Sequence, residues 1–387
     1  FAYTTHLDDE GVAAVVDRAR TNASFATEDP AVGLAPAWAV TPSPVAGLTD
    51  VGFLSIPAED KARFARDLDV ATRAVDPRVR VVEDAVYADS YSEVALATTT
   101  GVSGSYVRSD AWCYAVAIAE DDGDTEVGFE FDLAGSLIGL DVTDVARRAA
   151  QRALSVLGAR KIPSARMPVV FDPYVAGQFL GVLAGALTAE AVQKGRSLFA
   201  GKLGEEVAGA VTLVDDGTIA GAPGSAPWDD EGTPTTRTGV IVDGELRNFL
   251  YDLTSARRDG KESTGNAGRA GFKSAPGPSP TNLTITLTGQ TRAEVLRDAG
   301  TAFLVQDLHG VHSGANPVSG DFSVGATGRL LVDGEPGAPV KEVTIAAPML
   351  DILAGIVAVA DDLRWLPFGG SLGGATTMIG EMTVAGA

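Results

Sequence analysis

The sequence predicts an α+β protein: antiparallel sheets with covering helices, an N-terminal α/β region followed by a large β-rich C-terminal domain. Three observations carry this. Two amphipathic helical stretches lie near the N-terminus, a run of alternating apolar and polar segments follows them, and the second half places Asp-Gly pairs between strand-like runs. The 45 glycines and 20 prolines are spread along all 387 residues, which fits many turns and no single low-complexity tract.

In chain order, Gly11–Thr27 has helical apolar spacing and ends at Asp29-Pro30, before a proline-rich linker through Pro42 and Pro44. Residues 1–45 are expected to be the remnant of an N-terminal domain. A central unit, 46–162, begins with an amphipathic helix over Ala58–Val75. Alternating β-type runs follow at Val79–Asp84, Ser92–Thr99, Gly104–Glu120 and Thr125–Leu133, which reads as a meander. A helix after Asp141, with the Thr143 hydroxyl as cap and Gly158 as stop, completes one sheet with helices on a face.

The third unit, 163–387, opens with Asp172 capping a helix that carries Pro173 in its first turn and runs toward Gly195. Strands are expected at Ala208–Asp215, Gly239–Asp243, Glu245–Leu250, Asn282–Thr288, Phe303–Leu308, Ser323–Val332 and Glu342–Ile345. The turns at Asp243-Gly244 and Asp333-Gly334 mark hairpins. A helix over Met349–Val359 and a strand over Thr376–Val384 close the chain.

Thirty basic residues against 51 acidic ones leave a formal charge of −21, a field that repels phosphate backbones and anionic lipid and excludes nucleic acid and membrane surfaces as expected partners. The same field serves solubility, or draws in basic peptides. Cys113 is the only cysteine, so no intramolecular disulfide forms and no multi-thiolate zinc site can be assembled from this chain. The N-terminal residues lack the pattern of a secretion signal, and a cytoplasmic location is the expectation. The helix-like apolar stretch Pro173–Ala189 is shorter than the ~20 residues that cross a bilayer.

Nucleotide-binding glycine motifs are absent. Gly369-Gly370-Ser371-Leu372-Gly373 has the form Gly-x-Ser-x-Gly, but His6, His309 and His312 all precede the serine and no strand-to-helix context surrounds it. The pair His309 and His312 is spaced i, i+3 among glycines, not i, i+4 on a rigid helix with a glutamate between, so it does not suit zinc. Asp229-Asp230-Glu231 precedes a turn at Gly232-Thr233-Pro234; such a cluster could hold a hard cation, accept hydrogen bonds from a peptide, or form a solvated loop.

That cluster, followed by Ser263-Thr264-Gly265-Asn266, by Asn316-Pro317-Val318-Ser319-Gly320-Asp321-Phe322 and by Pro339-Val340-Lys341, resembles the TldD/PmbA family in order and spacing. The resemblance runs from the first helix to Met382–Gly386. It implies one of two kinds of subunit. The TldD kind carries a His-Glu-x-x-x-His helix and a C-terminal cysteine that bind zinc, and the TldE kind lacks them. Here the helix after Asp172 holds no histidine, Gly195–Glu205 is similar to the TldE form, and Gly370-Ser371-Leu372-Gly373 stands where the zinc cysteine would be. Glycine, alanine and serine side chains do not replace imidazole and thiolate.

The resemblance therefore implies a TldE/PmbA-type chain with no catalytic residue and no cofactor of its own. It would work in a heterodimer with a TldD-type catalytic subunit that carries the zinc, holding an extended, unfolded or leader peptide by main-chain hydrogen bonds. The alternative is a stand-alone peptide-binding or scaffolding homodimer without protease activity. The candidate substrate contacts are Asp230, Glu231, Thr233, Asn266, His312, Ser313 and Asn316, polar groups in glycine-bounded loops, which could equally maintain turns.

Overall fold

The computed structural model of the chain describes residues 1–286, 288–366 and 371–386. Its central unit is a three-stranded antiparallel meander of Val79–Ala97, Ser103–Asp121 and Asp124–Ala134. The two expected runs at 79–84 and 92–99 are thus one continuous 19-residue strand, because its middle is paired without a break to the equally long second strand. At about 3.3 Å per residue such strands reach far beyond an ordinary sheet.

Helices Ala58–Ala74 and Val142–Ser155 cover one face of this meander. Odd positions of the middle strand, Ala111, Cys113, Ala115 and Ala117, point at them and are fully buried; small side chains there let the helices sit close. Capping falls on Asp141, whose carboxylate accepts from Asp144 N, and not on Thr143 as expected. Asp141 is the residue with extended backbone, the position from which a side chain reaches the first-turn amides. Gly158 adopts φ +71°, the left-handed stop predicted for it.

Two six-stranded sheets and a two-stranded ribbon of Ala267–Gly268 with Gly277–Pro278 complete the sheet structure. The first runs, edge to edge, Arg364–Leu366, Ser371–Gly374, Asn282–Ile285, Leu213–Asp216, Arg237–Val242 and Glu245–Leu246. The second runs Glu335–Pro348, Asp321–Val332, Ala302–His309, Ala165–Phe171, Thr377–Ala385 and Ile356–Val359, and closes on itself because Glu335–Pro348 also pairs with Thr377–Ala385. One apolar core, including Phe171, Phe199, Phe303 and Phe322, draws on both sheets and on the helix Pro173–Ala186. The hairpin turns occur where expected: Asp243 and Gly244 have φ of 48° and 86°, and Asp333 and Gly334 have 52° and 80°. The expected helix Met349–Val359 ends at Ala354, and Ile356–Val359 is a strand, since its residues pair with Thr377–Ile379.

Asp172 caps the helix Pro173–Ala186 through Tyr174 N, as its sequence indicates, and the helix then breaks at Leu187 before a short turn of helix at Ala189–Gln193. It lies directly on the strand Ser371–Gly374 through glycine. A Cβ on Gly374 would stand 2.0 Å from Pro173 O and 2.6 Å from Gly177 N, and one on Gly177 would meet Leu366 Cδ1 at 2.6 Å.

This contact predicts opposite outcomes for two Gly→Ala changes on one helix and its neighbour strand. Gly374→Ala must part backbone from backbone and should cost about 3 kcal/mol. Gly185→Ala, whose Cβ meets nothing within 4 Å, should stabilise by up to about 1 kcal/mol through helix propensity. Urea denaturation of the two variants measures both; equal midpoints would disprove the contact.

Candidate functional site

The even positions of the middle strand, among them Tyr106, Arg108, Trp112 and Tyr114, point away from the covering helices. They form one wall of a chamber of about 970 Å³, joined by Phe129 and Phe131 of the next strand. The opposite wall comes from the C-terminal unit: the loops 223–235 and 279–281, the short hairpin at Ala267–Gly268, Leu366 and Ser371. Over Ala111–Ala119 the middle strand of the meander therefore has helices on one face and the chamber on the other.

The acidic loop is folded by its own carboxylate. Asp229, buried, accepts hydrogen bonds from Glu231 N (3.0 Å), Thr233 N (2.9 Å) and Ala267 N (3.0 Å), which fix the turn and tie it to the hairpin. Asp230 N donates to Ala267 O, and Asp230 Oδ2 accepts from Arg269 N at 2.7 Å. The turn leaves Asp229 and Asp230 on the chamber wall. Trp228 beside them packs against Trp38 and, edge to face, Tyr106, with ring centroids 5.0 and 5.2 Å away.

An N-terminal strap holds this loop from outside. Arg257 donates to the carbonyls of Ala31, Gly33 and Leu34, and Trp38 Nε1 donates to Gly232 O at 2.7 Å. Arg108 forks onto Asp110 and donates to Ser225 O, bracing the chamber from the sheet side.

Of the seven residues named from the sequence, the structure brings Asp230 alone to the chamber. Glu231 Oε2 turns away and accepts from Leu253 N at 2.8 Å, at the start of the helix Leu253–Arg258. Thr233 lies under the strap, with its buried Oγ1 lacking a hydrogen-bond partner. Asn266 is buried, donating to Asp215 Oδ2 and Ser279 O and accepting from Thr264 Oγ1. His312, Ser313 and Asn316 are exposed on a separate turn outside the chamber. There Ser313 Oγ donates to Gly310 O, and Asn316 Oδ1 accepts from Val318 N and Ser319 N. His309 shares a 2.9 Å hydrogen bond with Thr327 Oγ1.

Sequence reasoning passed over the aromatic wall. Its signal was present: from 104 to 120 the odd positions are small and the even ones include Tyr106, Trp112, Tyr114 and Ile118, so neither face of the strand is plainly polar.

Among the described residues no group of three or more histidines, cysteines or acidic side chains is placed to hold a metal. Gly177, on the helix where zinc ligands are expected, packs on Leu366, and Gly181 faces Leu372. Ser371, whose buried Oγ has no partner, lines the chamber. Gly369 and Gly370 of the Gly-x-Ser-x-Gly stretch lie outside the described residues.

Burial dominates the carboxylates around the loop. It pushes Asp229 up to about 6 despite the three N–H groups that pull the other way, and raises Asp230 against its bond from Arg269 N. Glu231 is pushed up to about 7 and Asp215 to about 6 by the same cause.

Comparison with known proteins places this architecture. Residues 164–386 match the model for the PmbA/TldA metallopeptidase C-terminal domain and residues 52–157 that for the central domain. The chain belongs to the PmbA/TldD metallopeptidase family. It is 28% identical to metalloprotease PmbA of Escherichia coli O157:H7 over 89% of its own length and 77% of that protein's. Against a metalloprotease TldD homolog of Haemophilus influenzae it is 32% identical, over 79% of this chain and 66% of the other. The crystal structure of TldE from Thermococcus kodakarensis shares the fold, with a TM-score of 0.89 at 22% identity, covering all of this chain and 87% of that one. No helix among the described residues is long and apolar enough to cross a membrane.

The raised carboxylates set a pH dependence. With pKa values above those of the unfolded chain, the folded state binds more protons than the unfolded one between about pH 4 and 7, so stability falls as pH rises through that window. The melting temperature should climb as pH drops from 8 to 5.5. It should fall again in strong acid, where Asp76, held at about 2 by Arg78, and Asp172, held down by Arg152 and Arg292 against its burial, become protonated. Glu231→Gln keeps an acceptor for Leu253 N and should flatten the part between pH 6 and 8. A melting temperature that declines steadily from pH 8 to 5 would rule this out.

Proposed function

We propose that this chain is the non-catalytic, peptide-holding subunit of a two-chain metallopeptidase, working beside a TldD-type chain that carries the zinc. The observation that carries the reading is the chamber. It offers aromatic faces for side chains, the Asp230 carboxylate for peptide amides, and no imidazole or thiolate on the nearby helix. Sequence identity does not choose between the two kinds of relative, because the PmbA and TldD proteins match at 28% and 32%. The donor chemistry favours the metal-free kind, since leucine and glycine fill the helix contact.

In this reading an extended peptide lies along the aromatic wall, with its backbone donating to Asp230 and its apolar side chains against Trp112 and Tyr114. Asp229, Glu231, Thr233 and Asn266 hold the loop that presents Asp230. His312, Ser313 and Asn316 would meet substrate only outside the chamber.

The purified chain should hydrolyse no peptide, and an equimolar mixture with a TldD-type chain should hydrolyse an unstructured one. Cleavage by this chain unaided, abolished by a chelator, would overturn the reading. Within the reconstituted pair, Trp112→Ala and Asp230→Ala should each lower kcat/KM about tenfold, the scale of one lost aromatic anchor or charge-assisted hydrogen bond. Unchanged kcat/KM in both would place the substrate elsewhere.

A further inference from the structure

A second cavity, of about 760 Å³, lies on the other side of the strand Asp124–Ala134, between the helix Val142–Ser155 and the C-terminal unit. Its composition runs against that of the chain. In a protein of net charge −21, the described residues lining it include six arginines, at 147, 148, 152, 292, 329 and 364, and no lysine. Three carboxylates face them: Glu130, Asp172 and Asp362.

Those carboxylates are already in use. Glu130 accepts from Arg152 Nε (3.1 Å), Arg364 (2.7 Å) and Phe131 N, and Asp172 accepts from Arg152 (2.7 Å), Arg292 (3.2 Å) and Tyr174 N. Asp362 takes Arg292 and both donors of Thr376. Two guanidinium groups of the lining take no part in these hydrogen bonds. Arg329 donates only to the carbonyls of Pro336 and Gly337. Arg148 Nε stands 2.8 Å from Asp144 Oδ2 but out of hydrogen-bond alignment. That Nε is buried and makes no hydrogen bond; its nearest carboxylates are Asp144, which Arg147 shares, and Glu130, 3.9 Å from Arg148 Nη1.

Excess cationic charge in a half-closed cavity is costly unless an anion completes it. Arginine in place of lysine supplies planar forks that match phosphoryl and carboxylate oxygens. We infer that this cleft is a binding site for a small oxyanionic ligand bearing a phosphoryl or carboxylate group, gripped from one side by Arg148 and from the other by Arg329. The site is independent of the peptide chamber: strand Asp124–Ala134 stands between them, turning Phe129 and Phe131 to the chamber and Glu130 to the cleft. A bound anion would also bridge the central and C-terminal units, which Arg152 already joins through Gln306 O and Asp172.

Calorimetric titration of the intact chain with pyrophosphate, and separately with citrate, at ionic strength held constant with sodium chloride, tests this. Saturable binding of at least one is expected, and the tighter arm identifies the chemistry. Arg148→Gln removes a group that makes no aligned hydrogen bond in the fold, and should weaken the binding about tenfold or more. Arg147→Gln, at the more exposed rim, gives a second variant should the first not fold, and should weaken binding in the same direction. Absence of saturable heat with both anions overturns the inference, as does wild-type affinity in the variants; the arginines would then serve only as an ion-pair link between units.

Discussion

Everything in this molecule turns on the middle strand of a three-stranded sheet, which over Ala111–Ala119 has a different cover on each face. The side toward the helices is built from alanine and one cysteine, so two helices approach it closely. The side toward the C-terminal unit carries aromatic rings that meet it at points such as Tyr106 on Trp228 and leave a chamber between. Strand alternation produces both from a single stretch of chain. A shift of register by one residue would put tyrosine and tryptophan under the helices and alanine in the chamber, destroying both at once.

The opposite wall depends on a sacrifice of ordinary carboxylate chemistry. Asp229 is buried with its oxygens turned to three backbone amides, so its charge is spent on the shape of a turn; its neighbour Asp230, one residue on, is delivered to the cavity. Asp215 plays a matching part below, taking Thr281 N, the Thr281 hydroxyl and the Asn266 amide. These are acceptors for which the protein tolerates raised pKa values, because backbone donors left empty in their place would cost more.

Much of the fold was legible in the sequence, and the reasons differ by element. Asp172-Pro173, Asp243-Gly244 and Asp333-Gly334 act through local chemistry that needs no tertiary partner, and they behave as read. Met349–Val359 was misread as one helix because a short apolar run has no period of its own; pairing with Thr377–Ile379 makes its second half a strand. The site was harder. The acidic motif could be located, but which of its carboxylates faces outward depends on Ala267 and Leu253, residues tens of positions away. The aromatic wall was hidden for a similar reason: alternation says that two faces differ, and only the docked C-terminal unit says that both are covered.

The glycine contact between the helix Pro173–Ala186 and the strand Ser371–Gly374 bears on how this chain can change over time. Where two backbones touch, a side chain cannot be inserted without moving one of them, so a residue larger than glycine cannot be accepted there one substitution at a time. Several positions must enlarge and their neighbours shrink together, with every intermediate less stable than either end. Close packing of this kind works as a ratchet: once two backbones have settled against each other, drift in the sequence does not easily part them.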